Sequence, residues 1–140
     1  MRLIAILLTL SVLGASGCAD STQPARNNRT QQALAESMPP GHLFQRHMID
    51  LNGLTLSVLE AGSGDPIIFV HGVVTTSNIF PQYVSAFSPD FRGIAVDLRG
   101  YGDSEKPPTG FTIDQFSRDL IRLADTLKID RAVWVGVSMG

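Results

Sequence analysis

The chain has 140 residues and a single cysteine, with 44% hydrophobic residues, 17% charged residues and a formal net charge of -2. That length bounds it to one domain of ordinary globular composition. The near-neutral charge balance, with no basic run, excludes the electrostatic footprint of nucleic-acid binding, and one thiol excludes an intramolecular disulfide.

Met1-Arg2 is a short positive start, and Leu3 to Leu13 is apolar apart from Thr9 and Ser11. A run of about eleven residues is too short for a bilayer, which needs roughly 20, so residues 1–17 read as a secretory signal. The small residues Gly14, Ala15, Ser16 and Gly17 precede Cys18. Leu13-Gly14-Ala15-Ser16-Gly17-Cys18 resembles a bacterial lipobox, although Ala15 stands where Leu is usual. The resemblance implies cleavage before Cys18, acylation of its thiol and a lipid anchor in the membrane. With Ala19 behind the cysteine, it implies the outer membrane or cell surface of a Gram-negative cell. An ordinary signal cut near Ala15-Ser16-Gly17, giving a periplasmic or secreted product, is the other reading. From Ala19 to about Gly41 the chain is polar and rich in Asn, Gln, Ser, Thr and Pro, a composition that cannot bury a core. It reads as a tether over 18–43, with room for a helical turn or two in Thr30 to Ser37, closed by Pro39-Pro40-Gly41. The folded domain is expected over 44–140.

That domain opens on a hairpin: Leu43 to Leu51 and Leu54 to Glu60 flank Asn52-Gly53, the pair suited to a two-residue turn. Leu54, Leu56 and Val58 alternate with Thr55 and Ser57, which predicts one buried face. Ile67 to Val70, Gly93 to Val96 and Ala132 to Val135 are short apolar runs without alternation, as parallel strands covered on both faces require. Helices are predicted between them. Ser77 to Phe87 would bury Phe80, Val84 and Phe87. Thr112 to Leu127 would bury Ile113, Phe116, Leu120, Leu123, Ala124 and Leu127. Thr112 and Gln115 offer a capping box, and Asp114 can pair with Arg118 one turn on. A hairpin followed by strand, helix, strand, helix, strand is α/β architecture with right-handed crossovers.

Three motifs follow three of the strands: His71-Gly72-Val73, then Asp97-Leu98-Arg99-Gly100-Tyr101-Gly102-Asp103-Ser104, then Gly136-Val137-Ser138-Met139-Gly140. The last has the form of a nucleophile elbow, in which a strand turns sharply into a helix and holds a serine hydroxyl at its apex. Its glycines have a steric reason, since residues two before and two after the serine pass too close to neighbouring backbone for a Cβ. Together the motifs resemble those of the α/β-hydrolase superfamily, serine-nucleophile branch, over roughly Phe44 to Gly140. The implied fold is the N-terminal part of an α/β-hydrolase sheet, an antiparallel hairpin then parallel strands with crossover helices, reached as far as the elbow.

The resemblance implies roles. Ser138 is the nucleophile, and a serine hydroxyl needs an adjacent base to act as one. Val73 and Met139 supply the two backbone N–H groups of an oxyanion hole. Gly72 gives backbone clearance, and Val74 to Ser77 line the pocket mouth. His71, Asp97 and Ser138 tempt as a triad, but this fold runs Ser, then Asp or Glu, then His. His71 is therefore expected to buttress the oxyanion loop, and Asp97 to end its strand and hold the Arg99-Gly100 turn. His42 and His47 receive no role. No ligand spacing for a metal and no phosphate loop is visible, so no cofactor is implied. Relatives with Asp at the elbow, such as haloalkane dehalogenases and epoxide hydrolases, form an ester on a carboxylate, and Ser138 argues against both activities.

The expected function is hydrolysis of a small carboxylic ester through an acyl-enzyme. Perhydrolase or haloperoxidase-like activity, lactone opening, carbon–carbon bond hydrolysis and peptide release share these motifs. A non-catalytic truncated product, or a surface lipoprotein that uses the fold only to bind, is the reading from another class. Base and acid are expected to lie outside these 140 residues. The chain alone is then expected to be inactive and poorly soluble, with the last strand an open edge and a terminal carboxylate near Ser138.

Overall fold

The first reversal among the described residues is at Asn52-Gly53, where φ is 57° and 102°. Positive φ at both central residues gives the hairpin turn whose twist matches its strands. It joins β1 (Gln45–Asp50) to β2 (Thr55–Ala61), with Asp50 opposite Thr55 and Gln45 opposite Glu60. The computed structural model describes residues 44–140; the expected signal, Cys18, the expected tether with its Thr30 to Ser37 segment, and His42 lie outside the described residues.

Three further strands follow: β3 (Asp65–Val70), β4 (Phe91–Val96) and β5 (Val133–Gly136). They join the hairpin in one sheet of order β1-β2-β4-β3-β5. β2 meets β4 antiparallel, whereas β3 runs parallel to β4 and to β5. The mixed α/β sheet expected from the sequence is thus the one observed.

Helix α1 (Pro81–Phe87) is shorter than the predicted Ser77 to Phe87 segment. Proline lacks the N–H that a helix interior needs but suits its first position. The segment therefore splits at Phe80 into a 3-10 turn (Ser77–Ile79) and a helix opened by Pro81. Phe80 and Val84 are buried as expected, while Phe87 is 43% exposed, with its ring beside those of Phe69 and Phe91.

Helix α2 (Ile113–Thr126) starts where its cap signal stands: Thr112 Oγ1 accepts the Gln115 N–H at 3.2 Å. The reciprocal arm of the box is not made, because the Gln115 amide donates to Asp119 instead. Arg118 pairs with Asp114 as expected. Phe116 and Leu123 are buried, and Leu120 and Leu127 pack beside them. Ile113, expected in that stripe, is 60% exposed. Ile113 is the first residue of the helix, and Asp119 is buried at the opposite edge of the stripe, where it pairs with Arg99.

The helices cover opposite faces of the sheet. Leu54, Leu56, Val58, Ile68, Val70, Ile94 and Val96 pack with Phe116 and Leu123 of α2. Leu59, Ala61, Ile67, Phe69 and Ala95 pack with Phe80 and Val84. β2 is thereby buried on both faces, not one. Ser57, expected to face solvent, is fully buried because β2 lies between β1 and β4 with its second face turned toward α1.

Candidate active site

Strand register builds the site. Val70 lies opposite both Val96 and Gly136, so β3, β4 and β5 end level. The next residues, His71, Asp97 and Val137, leave the same edge of the sheet, and all three motifs meet there.

At the third motif Val137 N–H donates to Val70 O at 3.0 Å, and the chain then turns through Ser138 at φ 57°. Left-handed backbone at a residue with a Cβ is uncommon and costs free energy. The turn is tight enough that a Cβ on Gly136 would strike the Gly140 carbonyl, and one on Gly140 would strike Val70 O. A Cβ on Gly72 would come within 2.8 Å of Ser138 Cβ and 3.4 Å of its Oγ. The three glycines thus stand where the backbone can pass only without a side chain, and Ser138 sits exposed against the loop that follows β3. Met139 packs against the α2-side core.

His71 is fully buried. Its Nε2 accepts the Leu98 N–H at 3.1 Å, which leaves the ring proton on Nδ1, and Nδ1 donates to Gly72 O at 2.8 Å. Both nitrogens are therefore committed to backbone, and neither is left to deprotonate Ser138. Asp97 does not bond to His71. Its Oδ1 accepts the Ser77 N–H at 2.7 Å, and its Oδ2 accepts the Asp103 N–H and Arg46 Nη1, each at 3.1 Å. Asp97 thus helps hold the loop that carries the Arg99-Gly100 turn, alongside the Gly100 N–H bond to Glu105 O and the pairing of Arg99 with Asp119. Ser77, expected at the pocket mouth, is buried because Asp97 draws its N–H inward.

The second motif fastens the loops. Ser104 Oγ donates to Asp97 O and accepts the Ser57 N–H, tying the turn to β2. The Arg99 guanidinium grips the 1% exposed Asp119 of α2 with two hydrogen bonds, Nη2 to Oδ1 being 2.7 Å. Hydrogen bonding to Asp119 raises the Arg99 pKa above the ordinary guanidinium value, against the opposing effect of burial.

Two participants escaped the sequence reading. Arg46 lies on edge strand β1, yet its Nη1 reaches Ser57 Oγ at 2.8 Å as well as Asp97, and its Nη2 reaches Asn78 Oδ1 at 2.8 Å. Nothing in the strand pattern marks it. Asp119 did carry a signal, a charge three residues after Phe116 and four before Leu123 on the apolar stripe of a helix.

Between these ties the loop after β3 is bare. Val73 is 52% exposed and Val74 90%, the latter at φ 55°. Among the described residues no group hydrogen-bonds to Ser138 Oγ, and none forms a three-ligand cluster for a metal ion.

The profile of the alpha/beta hydrolase fold family matches residues 65–140. The chain belongs to the α/β-hydrolase family. It is 36% identical over 107 residues to 2-(acetamidomethylene)succinate hydrolase of Mesorhizobium japonicum, an alignment covering 76% of this chain and 38% of the relative. An epoxide hydrolase of Caballeronia sordidicola is 41% identical over 95 residues, covering 66% and 29%. The crystal structure of a Vigna radiata epoxide hydrolase superposes with a TM-score of 0.67 at 30% identity, over 69% of this chain and 32% of that one. The chain thus spans about a third of the length of the curated relatives it matches. In this α/β-hydrolase the residue at the elbow is a serine, and among the described residues no helix is long and apolar enough to cross a membrane.

Proposed function

We propose that these residues carry the nucleophile and oxyanion hole of a serine hydrolase that cleaves a small carboxylic ester. Ser138 Oγ adds to the ester carbonyl carbon and its proton passes to a general base. The oxyanion forms between the backbone N–H groups of Val73 and Met139. Collapse expels the alcohol, and water then hydrolyses the acyl-enzyme. The observation that carries this reading is Ser138 held at φ 57° against Gly72, at the level ends of three parallel strands.

The elbow chemistry separates this reading from the epoxide hydrolases among the relatives. Serine opening an epoxide would give an ether, which has no carbonyl for water to attack, whereas an acyl-serine has one. The general base comes from outside the described residues. His71 is committed at both nitrogens. His47 lies on β1, four strand spacings from β5, or roughly 19 Å across the sheet. On this reading the 140-residue chain alone does not turn over ester, and base and acid belong to further sequence of the parent protein. We also propose export and lipid anchoring through Cys18; an acylated N-terminal cysteine in the mass spectrum of the mature protein is the expected result.

A fluorophosphonate probe tests the chemistry. The full-length enzyme is expected to gain one phosphonyl adduct on Ser138, S138A none, and the 140-residue chain none. Esterase activity in S138A, or labelling of the isolated chain, would overturn the respective claim. A binding-only product would leave the full-length protein unlabelled.

A further inference from the structure

The Gly72–Val73 peptide is held from its carbonyl side. Gly72 O accepts two hydrogen bonds, from His71 Nδ1 at 2.8 Å and from Thr75 Oγ1 at 3.0 Å. A carbonyl oxygen has two lone pairs, so its acceptor capacity is filled. The peptide bond is planar and, as no cis bond occurs among the described residues, trans. Its N–H therefore points opposite its C=O, and whatever fixes Gly72 O also aims the Val73 N–H.

Packing does little of this work. Val73 and Val74 are exposed, and Val74 is left-handed although β-branched, a conformation it would leave if the loop were free. The loop is tied at its far end, where Ser77 N–H meets Asp97. At its near end, rotation of the Gly72–Val73 peptide is opposed by the two donors on its oxygen. His71 is one, and its Nε2 is itself fixed by Leu98 N–H. Thr75 is the other, a half-buried side chain in the same loop.

We infer that Thr75 is a positioning residue for the oxyanion hole: its hydroxyl holds the Gly72 carbonyl so that the Val73 N–H faces the developing oxyanion. This rests on the proposed role of Ser138 and Val73. Thr75 does not touch the reacting atoms. It acts through the orientation of one peptide.

The test uses the full-length enzyme and the saturable kinetics of a fluorophosphonate, which requires no knowledge of the natural substrate. Phosphonylation forms a bond from Ser138 Oγ to phosphorus, passes the hydroxyl proton to the general base and expels fluoride, with the phosphoryl oxygen where an oxyanion would lie. Thr75→Val removes the hydroxyl at nearly constant volume, and Thr75→Ser keeps it. Deleting an oxyanion donor costs on the order of a hundredfold or more, and misaiming one costs less. The maximal labelling rate of T75V is therefore expected to fall about tenfold, with half-saturation within twofold of wild type. T75S is expected to retain the wild-type rate. Rates are normalised to the final adduct stoichiometry, so a misfolded fraction does not count as slow chemistry.

The inference is overturned if T75V labels at the wild-type rate, if T75S falls as far as T75V, or if the loss appears only in half-saturation. Those outcomes leave Ser138 as the nucleophile. If wild-type enzyme takes no adduct on Ser138, the serine-hydrolase reading fails and this inference falls with it.

Discussion

Replacing Arg46 with Met removes the guanidinium from a carboxylate that cannot reach water. The Asp97 side chain is 2% exposed and that of Arg46 29%, with Nη1 3.1 Å from Oδ2. At an effective dielectric near 20 that separation corresponds to a gross attraction of about 5 kcal/mol, before desolvation is subtracted. Breaking a buried pair by deleting one partner costs roughly 3–5 kcal/mol, because the remaining charge is left uncompensated. Two features lower the figure here. Asp97 keeps the Ser77 and Asp103 N–H groups, and Arg46 already has partial access to water. The expected loss for R46M is about 2 kcal/mol. The exposed Arg118–Asp114 pair, with side chains 65% and 73% exposed, serves as the comparison, and R118M should cost no more than about 0.5 kcal/mol. Urea unfolding of the full-length protein followed by circular dichroism gives both numbers, provided the slope with denaturant is unchanged. Repeating it in about 1 M salt sharpens the contrast, since screening removes the exposed pair's contribution and leaves most of the buried one. An R46M protein within about 0.5 kcal/mol of wild type would refute the claim that this cluster holds the loops.

Three further substitutions probe separate parts of the argument. Asp119→Asn strips the counter-charge from Arg99, whose side chain is 11% exposed, and should cost about 2–4 kcal/mol in the same unfolding assay. Because the folded-state pKa of Arg99 is raised, its contribution is complete below the unfolded value and is lost only as pH rises through the folded one. The wild-type to D119N difference should therefore stay flat from about pH 6 to about pH 9. Val74→Gly should stabilise by about 0.5–1 kcal/mol in urea unfolding, since relief of the left-handed valine exceeds the added unfolded-state freedom of glycine; a loss of stability would show the φ of 55° to be unstrained. Gly72→Ala puts a methyl within 2.8 Å of Ser138 Cβ and should slow fluorophosphonate labelling at least about a hundredfold; unchanged labelling would mean the elbow is free to move away.

What the sequence made legible is what local sterics encode. Asn52-Gly53 specifies its turn through two positive φ angles, Thr112 specifies a helix start through one side-chain oxygen, and Gly136 and Gly140 flank Ser138 because a Cβ would collide. Pro81 carried the same kind of local signal, and the longer helix read across it overlooked the missing N–H. The polar framework was not legible, because its partners are brought together only by strand order. Arg46 and Asp97 are 51 residues apart. They meet because β2 separates β1 from β4, and Ser57 on β2 supplies the step between them. His71 was recognisable as a buttress, but the peptides it joins, Gly72–Val73 and Leu98, follow from β3 and β4 ending level.

The two halves of the proposed site are held by different means, and this bears on where its reactivity would be tuned. The proposed oxyanion side is fixed by buried and half-buried polar side chains acting on backbone: His71 and Thr75 on Gly72 O, Asp97 on Ser77 and Asp103, and Ser104 on Asp97 O. Each bond lies out of water or at its margin, where losing a partner is costly. The proposed nucleophile side has, among the described residues, steric ties and few polar ones. Ser138 follows β5, and its turn is set by the Val137 N–H bond to β3 and by three glycines. Substitutions on the oxyanion side should therefore change maximal rate and stability together, because the same bonds serve both. Substitutions around the elbow should change the reactivity of Ser138 with little loss of stability, unless they introduce a Cβ where the backbones touch. Thr75 lies between the two cases: its bond is local to one loop, so its loss should register in rate before it registers in unfolding.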